Sequence, residues 1–241
     1  MFKSLMLSVL CCLSVNASAN GNGGTWLDAT RVVYNQGDTS RSVKVTNTSG
    51  DIPYLIRTWV TRIDNIENNQ LAKDWIVTPP VYRLNEKSAV QLKITMLNNA
   101  ELPKNKESVF YLNVLSIPGV SSDNKQAAEG SLDGKVVIAL NTKIKLFYRP
   151  QGISDEDVSS AFNKITFNSQ GDNVSINNPT PFYMNFAELK INGVEHKIPQ
   201  QMVAPFSSFT LSAKSKPEKV TYRLINDFGG ETSVKEINLK G

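Results

Sequence analysis

Side chains able to do chemistry are few in this chain, and most of them stand alone. The one histidine, His196, follows an Asn192-Gly193 turn, with no second histidine to share a metal. Both cysteines, Cys11 and Cys12, fall inside an apolar N-terminal segment read below as an export signal, so the mature chain offers no disulfide and no thiolate ligand. Asp155-Glu156-Asp157 has the look of paired carboxylates, but in a polar run just after Pro150-Gln151-Gly152 it is more simply a solvated segment. No nucleophile elbow, phosphate-cradling glycine loop or calcium loop occurs. Nothing here supports catalysis, and neither a cofactor nor a metal is expected.

Two cations are different. Arg31 ends the run Leu27-Asp28-Ala29-Thr30-Arg31, and Lys145 stands inside an apolar stretch between Ile144 and Leu146. On periodicity alone, each is a charge on a solvent face. The alternative is an anion site, because arginine offers a planar fork for a carboxylate and lysine a point charge beside it.

The element that must position Lys145 is Lys135 to Pro150, KVVIALNTKIKLFYRP. Even positions from Val136 read Val, Ile, Leu, Thr, Ile, Leu, Tyr; odd ones include Asn141, Lys143, Lys145 and Arg149. That is the period of a strand with one apolar face. From Val136 to Tyr148 it would span roughly 40 Å, well beyond a typical strand of ~5–6 residues. Such a strand either crosses the centre of a large sandwich or protrudes as an edge that something else must cover.

The rest of the 241-residue chain bounds the setting. Lys3, the apolar run Leu5 to Leu13 and Ala17-Ser18-Ala19 read as a signal peptide over 1–19, cleaved to leave an exported chain beginning at Asn20. No later stretch is long and apolar enough to span a bilayer. The remaining length, about 222 residues, suffices for one large or two ordinary domains, and without disulfides these must rest on hydrophobic cores. Net charge is +4 and the basic residues form no block, so nucleic-acid binding is not expected.

In order, the candidate strands are Thr25 to Tyr34, Arg41 to Thr46, Tyr54 to Ile63 with Trp59 as the core aromatic, Trp75 to Val77, Ala89 to Met96, and Ser108 to Ser116, which is apolar at both parities. Thr78-Pro79-Pro80 marks an edge or a switch between sheets, with either prolyl bond open to being cis. Between Pro118 and Lys135 the polar composition predicts a long loop. Arg149-Pro150-Gln151-Gly152 reads as a linker between domain 20–149 and domain 150–241. Beyond it, one helical turn at most is expected within Asp155 to Ala161. Strands resume at Phe162 to Phe167, Val174 to Asn177, Phe182 to Ile191, Val194 to Ile198 after the Asn192-Gly193 hairpin signal, Phe206 to Leu211, Lys219 to Asn226 and Thr232 to Leu239. The expectation is an all-β chain of two tandem β-sandwiches.

Six blocks carry a resemblance. Leu27 to Tyr34, Thr78-Pro79-Pro80, Glu107 to Asn113, Ile138 to Pro150, Asn178 to Tyr183 and Ile225 to Gly230 together resemble the periplasmic pilus-assembly chaperones (PapD-like) of Gram-negative bacteria, over essentially the whole mature chain and in the same order. The resemblance implies two immunoglobulin-like domains in an L- or boomerang-shaped arrangement with a cleft between them. It implies that Arg31 and Lys145 bind the C-terminal carboxylate of a pilus subunit, and that Val136, Ile138 and Leu140 enter the groove of a subunit lacking its own last strand. Pairing of this kind is strand addition to an exposed sheet edge, and complexes of such chaperones with pilins are an established instance of it. Glu107, Arg149 and Asp227 match an internal ion-pair network that fixes the two domains. An outer-membrane usher is the implied recipient, and the missing cysteine pair favours the short-loop branch, which generally serves rod-like pili. The exposed apolar edge also allows weak self-association. The competing reading is an exported structural or adhesive subunit of a surface fibre. On a flat strand, odd-numbered Lys145 and the even apolar row point to opposite faces, which a twist, a bulge or the shape of the cleft has to reconcile.

Overall fold

A computed structural model of the chain describes residues 23–63, 70–99, 101–119, 137–154, 158–213 and 215–239. The expected signal peptide, most of the 118–135 loop, Val136 and Asp155-Glu156-Asp157 lie outside the described residues.

The first half contains β1 Thr25–Leu27, β2 Arg31–Asn35, β3 Arg41–Asn47, β4 Tyr54–Arg62, β5 Trp75–Thr78, β6 Val81–Leu84, β7 Ala89–Met96, β8 Ser108–Pro118 and β9 Leu140–Arg149. Two sheets, ordered β1-β3-β7-β5 and β2-β9-β8-β4-β6, face each other. Alternation supplies the core between them: Val43, Val45, Leu92 and Ile94 from one sheet meet Ile56, Phe110, Leu112 and Leu146 from the other. Three aromatic rings, Tyr34, Trp75 and Phe110, meet edge to face with centroids 5.1 and 5.4 Å apart.

Three expectations change. Thr25 to Tyr34 is not one strand: β1 joins β3, whereas β2 joins β9 in the opposite sheet. Asp28 pins the crossover, since its carboxylate accepts from the Lys44 backbone N–H at 2.8 Å while its own N–H donates to the Lys44 carbonyl at 3.1 Å. Trp59 is not the core aromatic. It packs beneath the Arg57 guanidinium at 5.3 Å on the outward-facing parity of Leu55 and Arg57; Trp75 fills the core instead. Finally, β9 begins at Leu140 rather than Val136, because its ladder with β8 ends where Ser116 faces Leu140. The sheet switch does fall at the prolines: β5 pairs with β7, β6 with β4, and the intervening Thr78–Pro79 bond is cis.

The second half holds short helices α1 Gln151–Ser154 and α2 Val158–Ala161, then β10 Thr166–Gln170, β11 Asn173–Asn178, β12 Met184–Ile191, β13 Val194–Glu195, β14 Met202–Val203, β15 Ser207–Ser212, β16 Lys219–Leu224 and β17 Lys235–Asn238. Its sheets are β10-β11-β15 and β13-β12-β16-β17, with β14 also on β12. Phe162 closes α2 instead of opening a strand, its N–H donating to the Val158 carbonyl at 3.2 Å. Asn192 and Gly193, with φ of 49° and 81°, make the expected hairpin between β12 and β13. A separate core gathers Ile153, Phe162, Ile176, Phe182, Met184 and Leu224. Between the halves, Val109 and Phe147 from the outward face of the first sandwich pack with Met202 of the second, joined by Val33 and Tyr183. That patch covers only one end of β8's second apolar face; Tyr111 and Leu115 further along are half-buried.

Candidate functional site

The parallel ladder between β2 and β9 places Arg31 directly opposite Lys145. Paired residues on adjacent strands project to the same side, so the two cations share the face turned toward the second sandwich. There the Lys145 ammonium donates to the Asn185 side-chain oxygen on β12 at 2.9 Å. Burial, and then the neighbouring Arg31 charge, pull Lys145 down to about 8. Burial lowers Arg31 as well, partly offset by Asp227 and Glu107. Among the described residues, Arg31 Nε and Trp75 Nε1 are the buried side-chain polar atoms without a hydrogen-bond partner. Two like charges, close together and partly desolvated, with a buried donor unpaired, are an arrangement whose chemistry suits an anion.

The parity conflict resolves without a bulge. The β8–β9 register is unbroken from Ser108 opposite Tyr148 to Ser116 opposite Leu140. Even residues Ile144, Leu146 and Tyr148 fill the home core, but the same row loses its cover toward the start of β9, where Leu140 and, just before the strand, Ile138 are 59% and 75% exposed. The odd row faces the cleft and carries Lys145. One strand therefore presents apolar side chains at its tip and a cation at its middle, on opposite faces.

The strand's edge is divided too. β2 lies beside β9 only from Lys145 to Arg149. Upstream, along Leu140 to Ile144, no described strand lies on that side, because the β1 segment that would continue β2 has crossed to the other sheet at Asp28.

Glu107, Arg149 and Asp227 come together across the domain boundary. Arg149 Nε donates to Glu107 at 2.6 Å, and its two terminal nitrogens each donate to a separate Asp227 oxygen at 2.7 Å. The guanidinium lies 5.1 Å over the Phe182 ring. Burial raises Glu107 despite the arginine, whereas for Arg149 the opposing pull of burial is outweighed by Asp227 and Glu107, which raise it. The turns bearing these residues are fixed by asparagines. Asn178, fully buried, donates to the carbonyls of Phe182, Val203 and Ala204 and so holds the Pro181–Tyr183 backbone, which bonds Glu107 through both its carboxylate and its N–H. Asn226 accepts from the N–H groups of Phe228 and Gly230, shaping the turn that carries Asp227. Gly229 in that turn has φ +85°, and a Cβ there would stand 2.4 Å from Thr30 Oγ1, so only glycine lets the turn rest on the residue next to Arg31.

Of the anticipated groove residues, Ile138 and Leu140 project freely at the strand tip. His196 is half-buried beyond β13, and among the described residues no three His, Cys, Asp or Glu side chains gather into a metal site. Asn185 is the participant that sequence reasoning passed over. Its signal was a lone amide between Met184 and Phe186 in an otherwise apolar run.

Known proteins share this architecture. Residues 24–154 match the family model for the N-terminal domain of PapD, a pili and flagellar-assembly chaperone, and residues 160–236 match that for the PapD C-terminal domain. "Probable fimbrial chaperone protein ElfD" of Escherichia coli K12 is 39% identical over 231 residues, covering 95% of this chain and 92% of the relative. The crystal structure of the E. coli chaperone DraB superposes with a TM-score of 0.75 at 29% identity, over 90% of this chain and 97% of DraB. A Salmonella enterica chain from the complex of SafA pilin with the SafB chaperone gives a TM-score of 0.76 at 26% identity, again covering 90% and 97%.

Proposed function

The chain belongs to the PapD-like family of pilus-assembly chaperones and is a chaperone of pilus subunits; from that premise we propose how it holds them. The client's C-terminal carboxylate sits between Arg31 and Lys145, and its last residues lie along the edge of β9 from Leu140 to Ile144. With the carboxylate at Arg31, that segment runs parallel to β9 and in line with β2. Ile138 and Leu140, with Val136 beyond the described residues, enter the client's open groove.

The observation that carries this reading is a coincidence of position. The edge of β9 loses its neighbouring strand at the residue where two desolvated cations lie side by side. Main-chain pairing along the edge is largely indifferent to client sequence, while the apolar row contributes roughly 1.5–3 kcal/mol for each side chain fully buried. The charge pair sets the register, since a one-residue slip would turn the apolar row outward.

Glu107, Arg149 and Asp227 serve to hold the two sandwiches so that Arg31 and Lys145 face the second domain. Action in the periplasm and delivery to an outer-membrane usher complete the proposal, supported by the family and by the signal-like residues 1–19. No catalytic step is assigned. The fibre-subunit alternative is disfavoured because chaperone family models match both halves of the chain.

Arg31→Ala tests the anchor. Truncating one partner of a desolvated charged contact removes ~2–5 kcal/mol of binding. In cells co-expressing a pilus subunit, the variant should be folded by circular dichroism yet fail to let the subunit accumulate. Normal accumulation would overturn the carboxylate anchor.

A further inference from the structure

Asn185 is a neutral group in direct contact with the anchor, and its environment leaves it little freedom. It is 4% exposed on β12. Its side-chain nitrogen donates to the Tyr183 carbonyl at 3.2 Å, which turns the oxygen toward Lys145. Its own backbone carbonyl accepts from the Ile225 N–H at 2.8 Å, and its neighbour across the ladder is Met202. The Tyr183 N–H in turn donates to Glu107 at 2.8 Å. A continuous line of bonds thus runs from the Glu107–Arg149–Asp227 cluster through Tyr183 and Asn185 to Lys145. The charged groups around the ammonium are Arg31 beside it, with Glu107, Arg149 and Asp227 lining the same recess as Arg31 and Asn185.

The chemistry of the acceptor matters. An ammonium has three donors, and a single amide oxygen engages one of them without neutralising the charge. A carboxylate at the same place would neutralise Lys145 from within and compete with an incoming anion.

We propose that Asn185 is a positioning residue of the client anchor: its side-chain oxygen holds the Lys145 ammonium in the cleft while leaving charge and donors for the client's terminal carboxylate. The inference rests on the carboxylate-anchor reading above. It makes the second sandwich a participant in client capture, although both anchor cations belong to the first.

Two variants separate positioning from mere packing. Asn185→Asp is isosteric and supplies an internal anion; Asn185→Ala removes the hold and leaves the cleft neutral there. The probe is a fluorescently labelled peptide of alternating apolar residues ending in a free carboxylate, compared with its C-terminal amide by anisotropy. Wild type should prefer the carboxylate form. Asn185→Asp should weaken binding of that form by about tenfold or more, and Asn185→Ala by a smaller, several-fold factor. Neither should change binding of the amide. Carbon-13 NMR of the Lys145 side chain should find its titration moved above its wild-type position in Asn185→Asp, which verifies that the new carboxylate sits on the ammonium; the comparison of carboxylate with amide is what separates positioning from packing. Equal losses for carboxylate and amide, or unchanged binding by Asn185→Asp, would overturn the role of Asn185 alone. Indifference of the wild type to amidation would overturn the anchor itself and this proposal with it.

Discussion

Replacing Lys145 with methionine should make the free protein more stable and useless. An ammonium that titrates at about 8 instead of 10.5 is held in its charged form, at neutral pH, at a cost of roughly 3 kcal/mol. Solvent reaching the partly exposed site reduces that figure. Methionine also leaves the buried Asn185 oxygen without its 2.9 Å donor, a loss of ~1 kcal/mol. The net expectation is a gain of about 1–2 kcal/mol at pH 7, read by urea denaturation, with Tm rising ~2–4 °C for each kcal/mol. The pH dependence carries the sign. Lys145's folded value lies below its unfolded one, so between about 8 and 10.5 the unfolded chain binds more protons, and the wild type gains stability as pH rises through that window. Methionine does not titrate, so the variant's advantage should vanish within the window and give way at its top to a deficit of ~1 kcal/mol, the lost hydrogen bond to Asn185 alone. A variant less stable than wild type at pH 7, with a gap that does not close on raising the pH, would show that Lys145 serves this protein's own fold.

Other outcomes follow from the same geometry. Ile138→Asp should abolish complex formation in co-purification while leaving Tm nearly unchanged, because the side chain is 75% exposed in the free protein; a large drop would place Ile138 in the home core. Arg149→Ala leaves Glu107 buried without its charged partner and should lower stability by ~3–5 kcal/mol in denaturant titration. A loss within experimental error would mean the cluster contributes nothing to coupling the domains. Client affinity should fall as pH rises above about 8, by up to tenfold per pH unit, since a bound carboxylate favours protonated Lys145; a flat profile to about pH 9.5 would separate the lysine from the anchor. The exposed edge should also let the free protein associate weakly at high concentration, and light scattering of an unchanged monomer would dispose of that expectation.

What could be read from the sequence is what local chemistry decides. The alternation of Ile144, Leu146 and Tyr148 against Lys143 and Lys145 needs only the pleat, and the Asn192-Gly193 hairpin needs only residues that tolerate positive φ. Pro79 and Pro80 mark the change of sheet because proline cannot join a central ladder. The features that escaped depend on distant partners. The break between β1 and β2 is set by Asp28 bonding Lys44, sixteen positions on, with no turn residue at Ala29 or Thr30 to announce it. Trp59 and Val60 alternate equally well either way, and only the opposing sheet decides that Val60 points inward. Asn185 acquires meaning from Lys145, forty positions earlier. The Arg31–Lys145 pairing was legible through family resemblance; that they stand opposite each other in one register was not.

The crossover at Asp28 has a last consequence. With the client's carboxylate anchored as proposed, the end of β2 at Arg31 would turn the portion of β9 beyond it into a gauge whose zero mark is a chain terminus. From Lys145 to Leu140 the spacing is five residues, or about 16 Å at the rise of a strand. On that proposal, what is measured along that length is the distance of each client residue from its own C-terminus, not its identity, and subunits of unrelated sequence would be accepted provided their final residues are the same number of steps from the carboxylate. A single residue added to or removed from a client's end, even a conservative one, should be rejected more sharply than many substitutions within it.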